Sequence, residues 1–183
     1  MELKHIISEK LSEYPGRLEH ILGVNDEAIA LAKRYGVEED RVSIAALLHD
    51  IAKKMTMEEL RKYMILGGFD QSVHPKTWHA YVGAYIAKEE FDIIDEDILE
   101  AIMYHTTGHP QMNPIAKVLF VADFIERRTR DFPGVQRLRE LAYQDLNAVV
   151  CYKLNHLMTQ IAEPHPDTVT AYEVYKEYCS VVK

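Results

Sequence analysis

A chain of 183 residues, 48% hydrophobic and 27% charged, is long enough to bury a core and has the make-up of a soluble globular protein. Its formal net charge of -8 argues against a non-specific nucleic-acid binder, because a phosphate backbone demands a basic surface. It leaves room for a small phosphorylated ligand, which needs only a local basic patch. No apolar run approaches transmembrane length, and the amphipathic start Met1-Glu2-Leu3-Lys4-His5 is not a signal peptide. The two cysteines, Cys151 and Cys179, are far apart and lack metal-ligand spacing, so free thiols in a reducing cytoplasm are expected.

Residues 2–13 read as an opening helix, with Leu3, Ile6, Ile7 and Leu11 on one stripe, broken at Tyr14-Pro15-Gly16. A second helix runs from about Arg17 to Tyr35, carries His20, and is closed by Gly36. The third, from Val37 to Lys54, places Ile44, Leu47, Leu48 and Ile51 at helical spacing and sets His49 and Asp50 among them. A helix over 57–66 ends at Gly67-Gly68, and Pro75 opens the next, to about Phe91. That one holds His79 beside a small-residue face of Ala80, Gly83, Ala84 and Ala87. Asp95 to His105 follows, stopped by the breaker cluster Thr106 to Pro110. Pro114 starts a strongly apolar helix that carries Asp123 on the sector of Ala116, Leu119 and Phe120. Helices from about Val135 to Ala162 and from Thr168 to Val182 read as packing, with no site signal. No alternating run demands a strand, so the expected fold class is all-α.

Asp50 and Asp123 contradict their surroundings: an ionised carboxylate on an apolar face is costly unless a cation or donors meet it. Asp123 fits either an ion pair with Arg127 or a metal ligand. Lys53, one turn beyond His49 and Asp50, fits either a helix C-terminal charge or a phosphate ligand. Arg127, Arg128 and Arg130 leave the helix within two turns of Asp123, and guanidinium groups suit phosphate oxygens. Arg137 and Arg139 default to a solvated face. Five helices thus each offer a candidate: His20, His49 with Asp50, His79, His105 and Asp123. Imidazole and carboxylate without thiolate suit a borderline divalent ion such as iron, manganese, nickel or zinc. His5, His74, His109, His156 and His165 are left as non-ligands.

The order His, His-Asp, His, His, Asp resembles the HD-domain metal-dependent phosphohydrolases. Arg17-Leu18-Glu19-His20-Ile21-Leu22-Gly23-Val24, Ala46-Leu47-Leu48-His49-Asp50-Ile51-Ala52-Lys53, His79-Ala80, His105-Thr106-Thr107-Gly108 and Ala122-Asp123-Phe124-Ile125-Glu126 resemble the bacterial YqeK family. The resemblance implies a single-domain helical bundle of the HD-domain type over 1–183, with a metal-site core at about 17–134 and helices 135–183 packed on it. It implies symmetrical cleavage of diadenosine tetraphosphate into two ADP by water activated on a divalent transition metal. Iron is the implied ion, with manganese, nickel, cobalt or zinc as alternatives. His20, His49, Asp50 and Asp123 would be the metal ligands. Asp50, Lys53, His79 and His105 would carry the catalysis, His79 and His105 by facing the phosphate chain or holding a second ion. Substrate contacts would come from Arg17, His20, Lys53, His79, His105, Thr106, Asp123, Arg127 and Arg130. The chain departs from the family where Asp-x-Ile-Glu is usually followed by Pro and a single Arg; it has Arg127-Arg128-Thr129-Arg130, and Arg130 is preferred for the phosphate role. Expected partners are a dinucleoside polyphosphate, no nucleic acid and no membrane, in the cytoplasm, with a homodimer left open. The alternatives are a nucleotidase or phosphodiesterase for another nucleotide, and a non-catalytic nucleotide-sensing HD domain.

Overall fold

The computed structural model describes residues 2–182, with side chains over 3–179. Ten α-helices follow one another with no strand among the described residues: α1 (Glu2–Lys10), α2 (Pro15–Tyr35), α3 (Glu39–Leu48), α4 (Met57–Leu66), α5 (Trp78–Phe91), α6 (Glu96–Tyr104), α7 (Pro114–Ile125), α8 (Val135–Ala142), α9 (Leu146–Gln160) and α10 (Pro166–Tyr175). A helix that is apolar all round must be covered all round. Helix α7 is that element: it buries Val118, Leu119, Phe120, Val121 and Ala122 completely and packs against α2, α6 and α9. A second, smaller cluster of Ala52, Leu60, Met64, Trp78, Val82 and Ile86 sits under α4 and α5.

Local chemistry fixes most boundaries. Gly36 closes α2 in the left-handed region (φ 67°) and donates its N–H to Ala32 O. Thr56 and Glu59 form a reciprocal capping box at α4. Asn113 accepts from Ala116 N ahead of Pro114.

Three expectations need correction. The helix expected over 37–54 ends at Leu48, and residues 49–55 continue as tighter turns, with Ile51 N to Leu48 O at 3.1 Å and Lys53 N to Asp50 O at 3.0 Å. Its cause is His49, whose Nδ1 lies 2.7 Å from Ala46 O and takes the carbonyl that the next helical N–H would have used. The helix expected over 135–162 is split, because Asp145 caps a new start by accepting from Ala148 N at 3.1 Å. The cysteines are not free: Cys151 of α9 and Cys179 form a disulfide with Cα atoms 5.4 Å apart. The carboxy-terminal segment folds back along α9, which brings together residues separated by 28 positions.

Candidate metal centre

Each site residue enters at the end of an element or from its buried face. His20 is on the inward side of α2, His49 and Asp50 follow the end of α3, His79 lies in the first turn of α5, His105 caps α6, and Asp123 is near the end of α7. The small face of α5 has a job here. A Cβ at Gly83 would stand 3.4 Å from His49 O, so α5 packs directly on the turn that carries the His-Asp pair. All six side chains are buried, His49 completely and Asp123 the least so at 9% exposure.

Asp50 is the hub. Its Oδ2 lies 3.6 Å from His49 Nε2 and 3.9 Å from His20 Nε2, and its Oδ1 lies 3.4 Å from both His79 Nε2 and His105 Nε2. Two overlapping groups that could hold a metal share it: His20, His49 and Asp50, and Asp50, His79 and His105. Asp123 joins the first through His20, its Oδ1 being 3.1 Å from Nε2.

The tautomers follow from what the far ring nitrogens touch. Carbonyl oxygens only accept, so His49 Nδ1 donates to Ala46 O and His105 Nδ1 to Ile102 O, each at 2.7 Å. His20 Nδ1 faces Glu126 Oε1 at 3.3 Å. All three imidazoles therefore turn Nε2 towards carboxylate oxygens. His20 Nε2, His49 Nε2 and Asp50 Oδ1 are buried with no hydrogen-bond partner. Buried polar atoms are rarely left so. A cation held among them would satisfy all three, and nitrogen with oxygen donors suits a borderline transition metal.

Burial pushes His49 down to about 4 and His79 down to about 3, with His105 the next influence on His79. Both are therefore neutral at pH 7 and free to coordinate. Burial alone would raise the Asp123 carboxyl, but Lys153, then His20 and Arg130, hold it well below the usual carboxylate range.

Cationic side chains ring the centre. Arg17 pairs with Asp50 Oδ2, Lys53 Nζ lies 3.0 Å from His79 Nε2, and Arg130 binds Asp123 twice, Nε to its backbone O at 2.9 Å and Nη2 to Oδ1 at 2.8 Å. A cleft of about 320 Å³ opens beside them, lined by Arg17, His20, Lys54, Thr129 and Arg130. Thr106 Oγ1 is another buried atom without a partner. Arg127 is not brought in: it turns away to Glu27 Oε2 at 3.0 Å, which also removes the expected alternative of an Asp123–Arg127 pair.

Three residues lie outside the expected site and belong to it. Lys153 corrects the reading of the late helices as packing alone: its buried ammonium donates to Asp123 Oδ2 at 2.9 Å, Phe120 O at 2.8 Å and His105 O at 3.1 Å. Glu126, fully buried, accepts from Arg128 N and Thr129 N and orients His20. A Cβ at Gly23 would overlap Glu126 Oε2, so that glycine makes room for it. Arg139 is not a solvated charge either. It donates to Ile125 O, Glu126 O and Arg130 O at 2.7–2.9 Å and pins the chain that follows α7. The histidines left as non-ligands stay outside the centre: His74 and His165 cap helical turns, and His109 stacks on Tyr104.

An all-helical fold with four imidazoles and two carboxylates converging from five elements defines a His-Asp domain of the phosphohydrolase class, and a family model described as HD domain matches residues 17–128. The chain is 39% identical over 175 residues to "Bis(5'-nucleosyl)-tetraphosphatase, symmetrical" of Bacillus subtilis (strain 168), covering 91% of each. A protein of the same name from Halalkalibacterium halodurans is 37% identical over 174 residues, again covering 91% of each. A crystal structure of a Clostridium acetobutylicum protein, described as a predicted HD superfamily hydrolase involved in NAD metabolism, matches with a TM-score of 0.87 at 31% identity, over 96% of both chains. The chain belongs to the HD-domain family, within the family of the symmetrical bis(5'-nucleosyl)-tetraphosphatases.

Proposed function

We propose that this chain is a metal-dependent hydrolase that splits diadenosine tetraphosphate symmetrically into two ADP. The observation that carries the reading is the set of buried, unpartnered atoms His20 Nε2, His49 Nε2 and Asp50 Oδ1, which a shared cation would satisfy together. His20, His49, Asp50 and Asp123 would hold the ion, with iron as the first choice. His79 and His105, on the other Asp50 oxygen, would face the phosphate chain or hold a second ion. A bound ion would polarise a phosphoryl oxygen and lower the pKa of its water.

The chain's own residues supply positioning and charge, which is most of what phosphoryl transfer asks of a protein. Arg130 and Arg17 are carboxylate-bound guanidinium groups at the edge of an open cleft, ready to exchange those oxygens for phosphate oxygens. Lys53 adds a third cation beside His79, and the contact between Nζ and Nε2 gives a short route for a proton to the departing ADP oxygen. Asp50 orients the imidazoles of both groups.

The metal-site core and helices 135–183 would act as one domain, a reading supported by the reach of Lys153 from α9 to Asp123. The net charge of -8 argues against a nucleic-acid substrate. No helix among the described residues is long and apolar enough to cross a membrane. We place the reaction in the cytoplasm, where a nucleotide substrate is made.

Product chromatography tests the assignment. Diadenosine tetraphosphate should give ADP as the sole nucleotide product, with activity lost on chelation. AMP with ATP, or nucleoside with phosphate, would replace the reading by an asymmetrical hydrolase or a nucleotidase.

A further inference from the structure

A second cleft, of about 440 Å³, lies on the far side of Arg130, lined by Phe124, Arg130, Phe132, Pro133, Tyr152 and His156. Its size falls within the ordinary range for small-molecule sites, and its composition, mostly aromatic with few polar groups, is theirs too. Phe124 forms the floor. Three rings lean over it, those of Phe132, His156 and Tyr152, with centroids at 5.2, 5.7 and 6.2 Å and planes inclined by 39–46°. None of these rings is closed off by the core: Phe124, Phe132 and Tyr152 are half-buried and His156 is exposed. The wall is held in place, because Arg139 donates to Arg130 O at 2.7 Å just before Phe132.

The cleft is continuous with the candidate metal centre. Phe124 follows Asp123 in the chain, and Arg130 lines both this cleft and the cationic one. A phosphate held by Arg130 would therefore have its attached nucleoside within reach of the four rings. We propose that this aromatic cleft is a nucleobase subsite, taking one purine ring of a nucleotide whose phosphates meet Arg130. The inference rests on the functional reading above and deepens it by naming where one adenine goes. Base stacking on aromatic side chains gives affinity without demanding a hydrogen-bond code, so purines should be preferred to smaller pyrimidines by stacking area.

Titration calorimetry of the zinc-loaded protein with ADP and with inorganic pyrophosphate tests it. Phe132→Ala should weaken ADP about ten-fold, within the range set by losing one stacking partner. His156→Ala, at the exposed rim and harmless to folding, should weaken ADP several-fold, and neither change should alter pyrophosphate binding. Unchanged ADP affinity in both variants, or equal weakening of ADP and pyrophosphate, overturns the subsite. Turnover of diadenosine tetraphosphate by the unaltered protein is a separate readout. If turnover fails while ADP affinity still depends on Phe132, the reaction is wrong and the cleft stands; if turnover holds while ADP ignores both rings, the cleft alone is wrong.

Discussion

Replacing Lys153 by methionine removes a charge while keeping most of the stem's volume. The side chain is 6% exposed, and its ammonium serves three acceptors. Breaking a buried ion pair from one side costs about 3–5 kcal/mol, because the other charge is left without compensation. Two features place this change at the lower end. Asp123 keeps Arg130 on its Oδ1, and Phe120 O is also within a helix, whereas His105 O closes α6 and loses its partner. The desolvation of the ammonium, which by itself lowers the Lys153 pKa, is also relieved. We expect Lys153→Met to destabilise the metal-free protein by about 3 kcal/mol in urea unfolding. The loss should shrink once metal is added, since a cation at Asp123 replaces the missing charge. A double-mutant cycle with Asp123→Asn should show the two changes to be strongly non-additive. A loss below about 1 kcal/mol in the metal-free protein, or additive effects, would refute the argument that Lys153 neutralises Asp123.

Gly23→Ala would ordinarily stabilise a helix interior by about 1 kcal/mol; here the new Cβ displaces Glu126 from His20, so metal affinity measured by competition with a chelator should fall roughly 10–100-fold. Unchanged affinity with a raised melting temperature would contradict this. The folded pKa of His49, about 4, lies below its unfolded value near 6.5. The unfolded chain therefore binds the extra proton, and His49 alone should take about 3 kcal/mol from the metal-free protein as pH falls from 6.5 to 4, with His79, lowered to about 3, adding to the loss, read from urea midpoints. A midpoint that is flat across that window would show His49 to be solvated. Reduction of the Cys151–Cys179 bond reopens a loop of 28 residues and should cost about 3–4 kcal/mol of unfolding free energy, compared with and without dithiothreitol. No difference would mean that α9 and the carboxy-terminal segment are held by packing alone.

The helices were legible where residue type dictates backbone, as at Gly36, which accepts the left-handed conformation, and at Pro114, which starts α7. The end of α3 was not, because it depends on one histidine ring competing for Ala46 O, and nothing in the order of residues says that it will. The candidate centre was legible because Asp50 and Asp123 sit on apolar helix faces and the order of histidines around them resembles the HD-domain family. Lys153 carries the same signature, with Val149 and Val150 on its face, yet a lysine stem can cover apolar surface while its head stays in water. Only the fold shows that this head is buried. The disulfide and the turn of Arg127 towards Glu27 are long-range facts of the same kind: Asp-x-Ile-Glu places a run of arginines near the candidate ligands, and only the fold shows that Arg130 meets Asp123 while Arg127 meets Glu27.

The account depends on Asp50 joining both groups of imidazoles through one cation-filled space. Elemental analysis of the purified protein and of its Asp50→Ala variant, with folding checked by circular dichroism, measures that directly. The account predicts at least one transition-metal equivalent per chain in the parent, and in the folded variant neither bound metal nor release of ADP from diadenosine tetraphosphate. An Asp50→Ala protein that kept the parent's metal content and turnover would contradict it.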